Sequence, residues 1–123
     1  MENNEKFEEY VKNAIEKIPD HYTEKMQHVA ILVDEEPSQE QRVSLGLRHC
    51  DQLFGLYEGV PLTKRGGMLL QIPPDRITIF KHPMLELFPD EKELERQIYE
   101  TLWHEVAHFF GLNHEQIHKA KKK

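Results

Sequence analysis

Apolar residues recur every three or four positions from residue 5 to residue 18. Phe7, Tyr10, Val11, Ala14, Ile15 and Ile18 make one stripe with charges opposite, which predicts an amphipathic helix that Pro19 stops. The unbroken run Val29-Ala30-Ile31-Leu32-Val33, closed by Asp34, Glu35, Glu36 and Pro37, predicts a short strand buried on both faces and central in a small sheet. Residues 34 to 52 are charged and irregular, with a turn of helix near Gln41 to Gly46 as the one element their pattern suggests. Gly59 and Pro61 make Leu56 to Leu62 a loop or strand end. Gly66-Gly67 marks a turn, and Met68 to Ile72 reads as a strand until Pro73-Pro74-Asp75 breaks it, so a hairpin is expected there. Ile77-Thr78-Ile79-Phe80 is β-branched and aromatic between Arg76 and Lys81-His82-Pro83, and predicts a half-buried strand at the edge of the sheet.

The longest helical signal starts at Pro89-Asp90, where Asp90 can cap and Glu93 stands three residues on. At about 100° per residue, Leu94, Ile98, Leu102, Val106 and Phe109 form one apolar stripe, with His104 and His108 along its border. The helix is expected to reach about Phe110, and Gly111 to take the left-handed conformation that ends it. A shorter helical segment from Glu115 fades into Lys121-Lys122-Lys123. Helices flanking a few short strands predict an α+β fold, and without repeat or linker residues 1 to 123 read as one domain.

Chemistry concentrates in His104-Glu105-Val106-Ala107-His108-Phe109-Phe110-Gly111-Leu112-Asn113-His114. Residues four apart on a helix share a face, so His104 and His108 can approach one metal ion at the roughly 2.0 to 2.1 Å that zinc requires. Glu105 points about 100° away from His104 and can serve as general base toward a water without occupying the metal. After Gly111 the chain can fold back, so His114 is the candidate third ligand, with Glu115 and His118 as competitors. Three protein ligands would leave a fourth position open for water, as catalytic sites require. In a chain with 8 His and 6 Gly, the five fixed identities coincide by chance with a probability on the order of 10⁻⁴.

Composition narrows the partners. Lys and Arg number 16 against 22 Asp and Glu, a net charge of −6, which is the wrong sign for a phosphate-backbone binder, so no nucleic acid partner is expected. No apolar run approaches the roughly 20 residues of a membrane helix, and the first ten residues show neither the basic start nor the apolar stretch of a secretion signal, so a soluble intracellular protein is expected. The single cysteine, Cys50, excludes an intrachain disulfide and fits a reducing compartment, so a cytoplasmic location is expected. As a lone thiol, Cys50 reads as inert in preference to a zinc-blocking thiolate.

Taken with Leu56-Tyr57-Glu58-Gly59-Val60-Pro61-Leu62-Thr63 and Pro74-Asp75-Arg76-Ile77, the long histidine motif resembles the zincin-like metallopeptidase family of small bacterial single-domain proteins. The resemblance covers nearly the whole chain. It implies a minimal zincin fold: a small, mostly antiparallel or mixed sheet packed against an N-terminal helix and a long active-site helix. It also implies zinc-dependent hydrolysis of a peptide or protein substrate, with His104 and His108 as zinc ligands, Glu105 as catalytic base, and His114 at a position that holds His or Asp in the family. The motif is similar to that of the metzincins as well, but no methionine follows His114, so their methionine turn has no counterpart here.

Two functions stay open at this level. One is an intracellular zinc metallopeptidase that extends its sheet with the substrate backbone, the strand from Ile77 to Phe80 being the candidate edge. The other is a zinc-containing module that binds a peptide or protein without hydrolysing it. Tyr57 is a candidate hydrogen-bond donor to the oxyanion, although packing beside Pro61 is the simpler role.

Overall fold

The computed structural model describes residues 2–48, 52–60 and 75–112. Its elements are helix α1 (Glu2–Lys17), helix α2 (Asp20–Thr23), strand β1 (Val29–Asp34), helix α3 (Gln39–Leu45), strand β2 (Gly55–Glu58), strand β3 (Asp75–Phe80), helix α4 (Lys81–Leu87) and helix α5 (Glu91–Phe109). This is an α+β architecture with a mixed three-stranded sheet in the order β1-β3-β2.

Helix α1 forms where the three-and-four spacing predicts, and it buries Phe7, Tyr10, Val11 and Ala14, with Ile18 just beyond its end. At the other end of the chain, α5 begins on Asp90, whose side chain accepts the Glu93 N–H at 3.0 Å. Its stripe of Leu94, Ile98, Leu102 and Val106 is fully buried, and Phe109 nearly so. The stripe packs on α1 and on the inward-facing Ile77 and Ile79 of β3, so α5 cannot rotate without exposing its largest apolar side chains. Gly111 has φ 77°, and the Leu112 N–H reaches Ala107 O at 3.0 Å while the Gly111 N–H reaches His108 O at 2.9 Å. That pair of bonds is a Schellman ending, which turns the chain sharply away from the helix axis.

The strands depart from the sequence expectation in a specific way. β3, expected at the edge, is central: it runs parallel to β1 with Ile31 beside Ile77, and antiparallel to β2 with Tyr57 beside Ile77. β1, expected in the centre and buried on both faces, has a strand on one side only among the described residues, and its positions alternate between half-buried and exposed. Leu32, 42% exposed, marks its outer face. An unbroken apolar run reports that a strand is apolar, not which neighbours flank it. β3 is central by its pairing on both sides, and even its outward Thr78 and Phe80 are covered.

Two short helices escape the periodicity altogether. α2 is a single turn that carries Tyr22 onto the edges of Trp103 and Phe110, at centroid distances of 5.0 and 5.2 Å. α4 follows β3 directly and tolerates Pro83, which looks like a strand stop, because the first turn of a helix needs no amide donor there. α3 occupies the segment where a turn of helix is expected, with a reciprocal capping box between Ser38 and Gln41 and Gly46 at φ 69°. The expected turn at Gly66-Gly67 and strand from Met68 to Ile72 lie outside the described residues. No helix of the described residues is long and apolar enough to cross a membrane.

Candidate metal centre

With its apolar stripe committed to the core, α5 presents His104 and His108 on the border of that stripe, one turn apart and half-buried. Their rings meet edge to face with centroids 4.6 Å apart, and the two Nε2 atoms approach to 3.0 Å. Two imidazoles bound to one tetrahedral metal at roughly 2.0 to 2.1 Å hold their nitrogens about 3.3 Å apart, so the pair is close to the spacing that sharing one ion requires. A carboxylate oxygen of Glu105 completes a group whose ligand-capable atoms all lie within 4.8 Å of one another. The donor set, two imidazoles with a carboxylate at hand and no thiolate, fits zinc or another borderline divalent ion.

Glu105 is the buried member of the cluster, only 9% exposed, whereas His104 and His108 are half-buried. Loss of water pushes its carboxyl up to about 7, and a hydrogen bond from the Tyr57 backbone N–H opposes the shift without cancelling it. The folded chain therefore holds this proton more tightly than the unfolded chain. Metal-free stability should accordingly fall as pH rises from about 4.5 to about 7 and change little from this source above that. Glu105→Gln removes the penalty while keeping an acceptor for Tyr57. The metal-free variant should be more stable than the parent at pH 8, by about 1–3 kcal/mol, and nearly equal to it at pH 4. Urea titrations at the two pH values check this, and equal stability at pH 8 would contradict the buried ionised carboxylate.

Strand β2 supplies the wall over Glu105, and three details hold it there. Tyr57 donates its hydroxyl to Asp75 Oδ1 at 2.6 Å and rests its ring against Phe109, with centroids 6.0 Å apart. Asp75, at the start of β3, is itself buried, and a Cβ on Gly59 would collide with its carboxylate. At the near end, a Cβ on Gly55 would stand 2.6 Å from Thr101 Cγ2 and 3.3 Å from Glu105 Cγ, so the absence of a side chain lets β2 lie close to α5. Gly55→Ala should cost about 1–3 kcal/mol through this overlap. Thr101→Ser, which deletes the obstructing methyl, should recover most of that loss in the double variant; strictly additive losses would show that the contact is not the cause.

An open cleft of about 450 Å³ runs alongside, lined by Gln52, Leu53, Phe54, Gly55, Glu100, Thr101, His104 and Glu105. His104, Glu105 and His108 are thus brought together as the motif predicts. His114, with its competitors Glu115 and His118, and also Cys50 and Pro61, lie outside the described residues. Tyr57 differs from the expectation of an oxyanion donor: its hydroxyl is engaged by Asp75, and its backbone, not its side chain, reaches Glu105. Gly55, Thr101 and Asp75 are site residues that sequence reasoning does not single out. The signal available for Asp75 is its place in Pro74-Asp75-Arg76, and nothing in a lone Gly55 foretells its partner on another element.

Comparison with known proteins gives a consistent outcome. A family model described as zincin-like metallopeptidase matches residues 26–123. Among solved structures, a conserved hypothetical protein from Thermus thermophilus has a similar fold, with a TM-score of 0.58 and 18% identity over 98% of this chain and 99% of that chain. No curated protein matches the chain. Since the family model spans most of the sequence and includes the helix that carries the histidines, the chain belongs to the zincin-like metallopeptidase family.

Proposed function

We propose that the protein is a zinc-dependent metallopeptidase in which His104, His108 and His114 hold the metal and Glu105 is the general base. The observation that carries this reading is the pairing of two converging imidazole Nε2 atoms, 3.0 Å apart, with a buried carboxylate beside an open cleft. When bound, zinc supplies a Lewis acid that polarises the scissile carbonyl and makes water a better nucleophile. Glu105 takes the proton of the attacking water and returns it to the leaving amine. Burial makes its carboxylate more basic, the direction a proton acceptor needs, and the Tyr57 N–H fixes where it points. The Schellman turn ends the helix at Gly111, which supports His114 as the third ligand, since a continuing helix would carry residue 114 away from His108.

Substrate backbone extension, expected at β3 from the sequence, is excluded there because β3 is paired on both sides. β2 is the strand beside the cleft with a partner on one side among the described residues, which supports a reading in which the peptide adds to that edge. The setting proposed for this reaction is a bacterial cytoplasm. A quenched fluorescent peptide library tests the function. The zinc-loaded chain should cleave it, lose activity to a chelator and regain it with zinc. A zinc-loaded chain that cleaves no member of the library would leave the non-hydrolytic binding module as the better account.

A further inference from the structure

Among the described residues β1 forms the sheet edge opposite β2, with β3 between it and the strand that lines the cleft. Among the described residues it pairs only with β3, and Val29 to Val33 contain no charge, glycine or proline, the devices by which exposed edges avoid pairing. Leu32 on its outer face is 42% exposed. Beside this strand a groove of about 440 Å³ separates it from α1, lined by residues 31 to 34 of the strand and by Val11 and Ile15 of the helix, with Glu8 and Lys12 on the helical wall. A strand added at this edge would direct every second side chain into that groove.

We propose that this edge is a homodimer interface, in which β1 of a second copy pairs antiparallel with it about a two-fold axis through Ile31. The register follows from the fold. A two-fold normal to the sheet keeps both α1 helices on one face, so facing residues must be both odd or both even. Centred on Ile31, Val29 faces Val33, Ala30 faces Leu32, and His28 faces Asp34 of the second copy. Centred on Ala30, His28 would face Leu32; centred on Leu32, Asp34 would face Ala30 and Glu35 would face Val29. Of these three registers, the Ile31 register alone sets apolar against apolar and ends on a polar, charge-compatible pair. Glu8 and Lys12, one turn apart on the same wall of the groove, give an antiparallel pair of α1 helices opposite charges to set against each other. The six strands would run β2-β3-β1-β1-β3-β2, leaving both clefts at the outer edges, so the interface is independent of the chemistry at the metal centre.

Sedimentation of the full chain over a wide concentration range tests the proposal. The parent should move from 14.6 kDa toward twice that mass as concentration rises. Leu32→Lys changes an exposed side chain and should weaken association about tenfold or more, with unchanged circular dichroism. Ala30→Lys, also at an exposed position, serves as the second variant should Leu32→Lys fail to fold. His28→Asp and Asp34→Lys should each weaken the dimer roughly fivefold, and the double variant should recover most of the loss, a rescue that only this register predicts. A parent that stays monomeric, or a dimer indifferent to both lysine variants, would overturn the interface. A double variant no better than the singles would overturn the register.

Discussion

Alanine at His104 or His108 should weaken zinc binding by about 10³-fold or more, judged against the 10- to 100-fold lost when a mere second-layer partner is removed. The argument is geometric. The two Nε2 atoms already stand 3.0 Å apart, held by a helix whose opposite face is locked in the core, so little ordering remains to be done when the metal arrives. Removing either ring leaves one preformed donor and a carboxylate. His114→Ala should cost less, because two preformed imidazoles remain, yet clearly more than Glu115→Ala or His118→Ala. Competition with a chromogenic chelator places all five variants on one scale. The fold should survive in each, since the core of Leu94, Ile98, Leu102 and Val106 does not involve these side chains. If Glu115→Ala proved more damaging than His114→Ala, the third ligand would be a carboxylate.

Glu105→Gln should lower peptide hydrolysis by about 10²- to 10⁴-fold while zinc content stays near that of the parent. The amide preserves the shape of the side chain and can still accept the Tyr57 N–H, but it cannot take a proton from water. Retention of metal with loss of turnover is the signature of a base. Loss of metal in proportion to turnover would instead make Glu105 a ligand, a role that its place within the 4.8 Å cluster also allows chemically. The same substitution is expected to stabilise the metal-free chain at pH 8. Opposite effects on stability and turnover would identify the buried carboxylate as a group kept for chemistry at the expense of folding.

What is legible in the sequence about this site is local in character. The cap at Asp90, the stripe through Leu94 to Phe109, the left-handed Gly111 and the imidazoles four residues apart all depend on residues within one helix, where spacing translates directly into direction. Strand order depends on contacts between distant segments. Val29 to Val33 reads as central because every residue is apolar, yet Ala30 and Leu32 face outward at an edge. Ile77 to Phe80 reads as a half-buried edge because charged residues and a proline bound it closely, yet Thr78 and Phe80 are both buried. The second layer around Glu105 is hidden for the same reason. Gly55 matters through Thr101, and Tyr57 through Asp75, pairs joined only when β2 meets α5 and β3.

The central claim, that the cluster is a zinc centre with an open position for catalysis, is tested most directly by X-ray absorption at the zinc edge of the stoichiometrically loaded chain. The account predicts one zinc per chain with three imidazole nitrogens at about 2.0–2.1 Å, one further oxygen, and no sulfur. A chain that retains no zinc, a sulfur ligand from Cys50, or four protein ligands with no exchangeable oxygen would contradict it.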